Sequence, residues 1–153
     1  MKRRRPLRSI ADVNVFLPLL IRAHPAHRAA LDWFEAQPNA GVGWSLPVKL
    51  GVLRLLCNPK VMGSDALAPT AALDVWTALA ANPRLSEVNR LPADHETHLW
   101  RLLAAREPSP NVWTDAWLAA LAICLSCEMV TFDRGFRAFD GVELRLLGAK
   151  PEG

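Results

Sequence analysis

The sequence predicts an α/β domain with a mostly parallel central sheet covered by helices on both faces, a three-layer α/β/α arrangement. Two observations carry that expectation. Short apolar runs alternate with helical periods from Ser9 to Leu147. Two of those runs, SIAD and MVTFD, close on an aspartate, Asp12 and Asp133. The chain of 153 residues is about one domain long, and at 51% hydrophobic and 22% charged it can bury a core.

Taken in order, Ser9 to Val13 reads as a short buried strand entering VFLPLLI, a helix with Pro18 near its first turn. His24 to Gln37 places Ala30, Leu31 and Phe34 at helical spacing, with Pro25 suited to the first turn and Pro38 ending it. Val42 to Leu46 is strand-like, and Pro47 to Cys57 is an apolar helix stopped by Asn58-Pro59. Pro69 to Ala81 is a third clear helix closed by Asn82-Pro83, followed by a candidate strand over Leu85 to Leu91 and a helix over Ala93 to Arg106. Thr114-Asp115 then opens an apolar helix over Ala116 to Leu125. Met129 to Phe132 is a strand, Gly135 to Phe139 a short helical turn, and Val142 to Leu147 a last strand.

Lys and Arg number 18 against 15 Asp and Glu, but five of the 18 fall in the first eight residues, which hold no acid. The remaining 13 are outnumbered by the 15 acids, which excludes a histone-like polycation. Residues 1–8 are therefore read as a basic tail, expected to be disordered, ahead of a domain over 9–148. Cys57, Cys124 and Cys127 are odd in number and too sparse for a disulfide scaffold, so reduced thiols are expected. MKRRRPLR before VNVFLPLLI resembles a signal sequence, yet Asp12 and Asn14 interrupt the apolar run and Val13 to Ile21 is too short to span a bilayer. A cytoplasmic protein without membrane attachment is expected.

Ligands of parallel α/β sheets bind outside the carboxyl ends of the strands, where Asp12 and Asp133 fall. Asp115 joins them at the start of a helix, where the positive helix end favours a carboxylate. Carboxylates held together raise one another's pKa, and a hard divalent cation such as Mg²⁺ or Mn²⁺ removes that cost. Such an ion assists phosphodiester hydrolysis. Each acid also has an ordinary reading: Asp12 as a strand terminator, Asp115 as a first-turn acid beside a Thr114 cap, Asp133 as a turn residue before Gly135. Their occurrence together points to chemistry.

The segments ADVNVFLPLL, HPAHRAALDWFEAQ, LGVLRLLCNP, WTDAWLAALAICLSCEMVTFDRGF and VELRLL resemble, in this order and spacing, the PIN-domain ribonucleases. Within them the chain is similar to the VapC-type toxins of bacterial type II toxin–antitoxin modules. The resemblance runs from about Ser9 to Leu147 and implies a PIN-like nuclease domain with an acidic pocket at its strand ends. It implies Mg²⁺- or Mn²⁺-dependent endonucleolytic cleavage of RNA, inhibition by a cognate antitoxin protein, and a homodimer. Carried over by position, Asp12 and Asp115 would hold the metal, with Asp133 close by to hold water or a second ion. Asn14 and Thr114 would orient carboxylates and water.

One position departs from that pattern: Lys49 stands ahead of LGVLRLL, where the resemblance implies a glutamate. An ammonium cannot ligate a metal and competes with a cation for the same carboxylates. The expectation is thus an active endoribonuclease resting on three aspartates or, alternatively, a catalytically impaired PIN domain that binds antitoxin or RNA without cleaving it.

Other residues receive bland readings. His24 with His27, and His95 with His98, read as partly exposed helix faces rather than metal pairs. The Cys124-x-x-Cys127 pair lacks a visible partner cluster for zinc. Most of the six tryptophans fall within apolar patterns, with Trp113, beside Thr114-Asp115, the candidate for a base contact. Arg134 reads as a solvated turn residue. No Gly-rich phosphate loop and no G-x-S-x-G elbow occurs.

Overall fold

A computed structural model of the chain describes residues 7–148. Five short strands, β1 (Ser9–Ala11), β2 (Val42–Trp44), β3 (Leu85–Glu87), β4 (Glu128–Thr131) and β5 (Leu144–Leu146), form one sheet in the order β3-β2-β1-β4-β5. All four neighbouring pairs run parallel, with Ile10 opposite Gly43 on one side and Met129 on the other. The helices are α1 (Val13–Leu20), α2 (His27–Glu35), α3 (Leu46–Leu56), α4 (Pro59–Met62), α5 (Pro69–Ala80), α6 (His95–Leu103) and α7 (Val112–Cys124). The expected three-layer architecture is therefore present.

Topology sets the layers. From β1 the chain steps outward through β2 to β3, then returns to the other side of β1 for β4 and β5. Right-handed crossovers consequently place α1 to α5 on one face and α6 and α7 on the other. The packing agrees: α1 lies against α2 and α3, α3 against α5, and α6 against α7. The order reverses between β1 and β4, and such a switch point leaves a crevice beyond the strand ends.

The core is the inward stripe of each element. Val48, Val52 and Leu56 follow the helical repeat of α3, while Ile10, Val42, Met129 and Val130 are fully buried in the sheet. Phe16, Trp44 and Trp76 interlock edge-on beneath α1, α3 and α5. The alanines of α7 let it approach β1 and β4 closely. Gly51 does the same where α3 meets α1, since a Cβ there would stand 2.7 Å from Val13 Cγ2.

Several boundaries differ from expectation for local reasons. Pro18 is deep in α1 rather than in its first turn, and the helix stops two residues later. Pro25 precedes α2, which begins at His27. Helix α7 begins at Val112, so Thr114 is inside it and is not its cap; the Thr114 hydroxyl donates to the Asn111 carbonyl at 3.1 Å. The third strand is confined to Leu85–Glu87. Of the basic tail expected over 1–8, residues 1–6 lie outside the described residues. Leu7 packs on the core, and Arg8 exchanges backbone bonds with Gly41 and Glu128 at 2.9 and 3.0 Å. The three cysteines are free thiols. No helix among the described residues is long and apolar enough to cross a membrane.

Candidate active site

Asp12 ends the run that forms β1 and caps α1. Its amide donates to the Val130 carbonyl at 3.0 Å, continuing the β1–β4 ladder, and its Oδ1 accepts from the Val13 amide at 2.7 Å. The side chain is 8% exposed. Asp133 follows β4, and its Oδ1 accepts from the Gly135 amide at 2.8 Å, the cap of the short 3₁₀ turn Arg134–Ala138. Asp115 enters from the opposite layer, in the first turn of α7. The three predicted acids, from three elements far apart in sequence, line one cavity of about 510 Å³.

Electrostatics record their proximity. Burial pushes the Asp12 carboxyl above the usual carboxylate range, and the Asp133 charge adds to the rise. Asp115 is pushed up to about 7, by burial first and then by the charges of Asp12 and Asp133. Arg106 acts in the opposite direction on Asp115. Its guanidinium lies 4.6 Å from the Phe139 ring centre.

A buried hydroxyl joins the two strand-end acids. Thr131, fully buried as the last residue of β4, donates from Oγ1 to Asp12 Oδ2 at 3.1 Å. It accepts from Asn14 Nδ2 and from the Asp133 amide, each at 3.0 Å. The Asn14 carbonyl oxygen in turn accepts from the Phe132 amide at 3.2 Å. A hydroxyl offers one donor and two acceptor positions, and here all are engaged. Asn14 thus reaches the carboxylates through Thr131 rather than directly. Thr114 lines the cavity but hydrogen-bonds to backbone.

Lys49 does not line this cavity. The wall contributed by α3 is Pro47, Val48, Gly51, Arg54 and Leu55, while the Lys49 ammonium stands 5.9 Å from the Trp44 ring centre. The basic-capable side chains in the lining are Arg54, not singled out from the sequence, and His24, read there as part of a partly exposed helix face. His24 Nδ1 accepts from the Ala26 amide at 3.0 Å, so the ring proton sits on Nε2. His27 Nδ1 lies 2.7 Å from the Pro18 carbonyl and, unlike His24, the residue does not line the cavity. His95, expected on an exposed face, is buried with Nε2 3.0 Å from the Trp117 carbonyl. Trp113 is 61% exposed and edge-on to Trp100, outside the cavity lining.

Thr131, Arg54 and Arg106 are thus the additions that the sequence reading missed. Thr131 carried a signal, a polar residue inside the apolar run MVTF immediately before an aspartate. Arg54 and Arg106 carried none, because their approach to the acids depends on how α3 and the end of α6 pack.

The PIN-domain family profile matches residues 10–142 of the chain. Ribonuclease VapC41 of Mycobacterium tuberculosis is 36% identical over 143 residues, covering 90% of this chain and 97% of the relative. Ribonuclease VapC31 of the same organism is 31% identical over 136 residues, covering 87% and 94%. Among solved structures, VapC20 of M. tuberculosis, described as a sarcin-ricin-loop-cleaving toxin, superposes with a TM-score of 0.60 at 21% identity, covering 88% of this chain and 98% of that one. The Rickettsia felis VapBC2 structure, bound to a promoter DNA fragment, superposes with a TM-score of 0.64 at 12% identity over 92% and 99%. With a profile match across most of its length and full-length relatives above the 30% level, the chain belongs to the PIN-domain family, in the group of VapC ribonucleases.

Proposed function

We propose that the chain is a divalent-metal-dependent RNA endonuclease and the toxin of a toxin–antitoxin module, with Asp12, Asp115 and Asp133 as its catalytic acids. The observation that carries this reading is the convergence of three carboxylates on one cavity, with Asp115 raised to about 7 by burial first and then by the charges of Asp12 and Asp133. That donor set fits Mg²⁺ or Mn²⁺, which prefer carboxylate oxygens. Asp12 and Asp115 would hold the ion, with Asp133 beside them. When bound, it supplies positive charge at the phosphorus centre and acidifies water.

The chain's own residues do the rest. Thr131 fixes Asp12 through Oδ2 and the Asp133 backbone through its amide, so both strand-end acids share one rigid reference. Arg54 and the His24 Nε2–H stand on the cavity wall as donors for a phosphodiester oxygen, which an all-acid cleft would otherwise repel. The placement of Lys49 outside the lining supports a working site rather than an impaired one.

The partner expected for this function is a cognate antitoxin protein, and VapBC assemblies are the form in which several structurally similar toxins were solved. A cytoplasmic homodimer belongs to the same proposal. Exposed Leu46 and Leu50 on α3, with Val61 on α4 and Leu73 on the adjoining α5, offer apolar surface for it.

The deciding experiment is an RNA cleavage assay with Mg²⁺ or Mn²⁺, with and without chelator, on the wild type and on Asp12→Asn. Cleavage that chelator stops and Asp12→Asn lacks, with circular dichroism unchanged, is the expected result. Equal cleavage by Asp12→Asn would overturn the assignment.

A further inference from the structure

A second group of donors lies away from the carboxylate cavity, where the start of α6 meets the end of α7. Asp94 immediately precedes α6, His98 lies one turn further, and Cys124 is the last residue of α7. One ligand atom from each stands within 4.8 Å of the other two. His98 Nε2 is 3.4 Å from Asp94 Oδ2. Asp115 is on the same helix but more than two turns back, about 13 Å along the axis. The group is therefore not part of the nuclease cavity, whose lining contains none of the three.

We propose that Asp94, His98 and Cys124 form a binding site for a borderline-soft divalent cation of the zinc class, with a fourth position open to water. The donor types carry the choice of ion. Thiolate, imidazole and carboxylate are the zinc ligands, whereas Mg²⁺ takes an all-oxygen shell. The two sites thus select different cations. Zinc bonds of about 2.0–2.3 Å in a tetrahedron place ligand atoms about 3.3–3.8 Å apart, so the three donors need to contract only slightly. Asp94 is exposed and precedes the helix, which leaves it free to make that movement.

Binding is balanced in charge and protons. The cation displaces the Cys124 thiol proton to solvent, and thiolate plus carboxylate neutralise its two positive charges. His98 ligates through Nε2 and carries its ring proton on Nδ1. Arg101 Nη2, now 3.4 Å from that Nδ1, turns away while Nη1 keeps the Asp140 carbonyl at 3.3 Å. Cys127 takes no part: its buried Sγ lies 3.5 Å from the Leu7 carbonyl and 3.4 Å from that of Leu125. The C-x-x-C spacing is split between two environments, and the real partners of Cys124 come from α6. The bound ion clasps the start of α6 to the end of α7.

Cobalt titration tests this, with Co²⁺ as the spectroscopic stand-in and excess Mg²⁺ present to occupy the carboxylate cavity. The wild type is expected to develop a thiolate-to-cobalt charge-transfer band saturating at one equivalent, to lose it to added Zn²⁺, and to release one proton per ion. The apparent Tm should rise with the logarithm of free Zn²⁺. Cys124→Ala and His98→Gln should lose both responses, while Cys127→Ala and Asp12→Asn keep them. Should Cys124→Ala not fold, the partly exposed His98→Gln carries the test alone. Absence of the band in the wild type, its persistence in Cys124→Ala or His98→Gln, or its loss in Cys127→Ala would each overturn the site. None of these readouts uses RNA cleavage, so the nuclease assignment stands or falls separately.

Discussion

Asp115→Asn separates a catalytic acid from an ordinary first-turn carboxylate, because the two readings predict opposite stability changes. In metal-free protein the Asp115 carboxyl is raised to about 7 from an unfolded value of 3.8. For an acid raised on folding, the folded state keeps its proton after the unfolded chain has lost it. Stability therefore falls as pH rises from 3.8 to about 7 and stays low above that. The full shift corresponds to about 4 kcal/mol. Asp115 is only about half buried, and solvent screening roughly halves this to about 2 kcal/mol. Asparagine keeps the shape and removes the charge, so in chelator at pH 8 the variant should be more stable by about 2 kcal/mol. In a domain of this size that raises Tm by about 4–8 °C. At pH 4 the difference should nearly vanish, since the wild-type carboxyl is protonated there. Adding Mg²⁺ should raise the wild-type Tm and leave the variant nearly unmoved, and RNA cleavage should be lost. The assay is a thermal melt at the two pH values, with chelator and with Mg²⁺. A favourable interaction with the α7 dipole would instead make Asp115→Asn less stable at pH 8. A lowered Tm there, or an equal gain at pH 4, would refute the reasoning.

Three further outcomes follow from the site. Thr131→Val keeps the volume but strips a donor from Asp12 and an acceptor from both Asn14 and the Asp133 amide. It should cost about 2–3 kcal/mol, read as a lower urea midpoint at unchanged m; a loss below about 0.5 kcal/mol would show that the hydroxyl does not hold the acids. Arg54→Ala should lower kcat/KM for RNA about tenfold or more and flatten its salt dependence. If both stay at wild-type values, Arg54 does not meet phosphate. Lys49→Glu should change cleavage by less than about threefold, because Lys49 stands over Trp44 and outside the cavity lining. A wild type that is silent until Lys49→Glu restores cleavage would show that the lysine reaches the acids after all.

What the sequence disclosed and what it concealed divide along physical lines. The order of elements, the parallel sheet and the placement of Asp12 and Asp133 at strand ends follow from apolar periodicity, which is local and strong in a chain with strands this short and buried. Asp115 was also legible, since an acid in a first helical turn is a local pattern. Pairings across space were not. Asp94 and Cys124 are brought together only by the antiparallel packing of α6 on α7. His95 is buried by that same packing, although its charged and polar neighbours suggested an exposed face. Lys49 illustrates the converse. Its place in a linear pattern assigns it to the acidic pocket, but Pro47, Val48, Gly51, Arg54 and Leu55 are the residues of α3 that lie along the wall. At about 100° per residue those five share one face of α3, and Lys49 falls on the opposite side of the helix.

The location of the cavity also explains why the fold tolerates three acids there. At the reversal between β1 and β4, two helices from opposite layers aim their N-termini at the same crevice: α1, capped by Asp12, and α7, with Asp115 in its first turn. Both helix ends favour carboxylates, and Val13, Gly135 and Thr131 add donors directly to Asp12 and Asp133. If those terms balanced burial and repulsion together, Asp115 would titrate in the usual carboxylate range. It stands at about 7 instead, even with Arg106 acting to lower it. The protein's own dipoles and cations therefore leave the crevice short of positive charge. In the proposed function a divalent cation would supply that charge, and the phosphodiester that Arg54 would hold then meets a neutralised crevice instead of a repelling one.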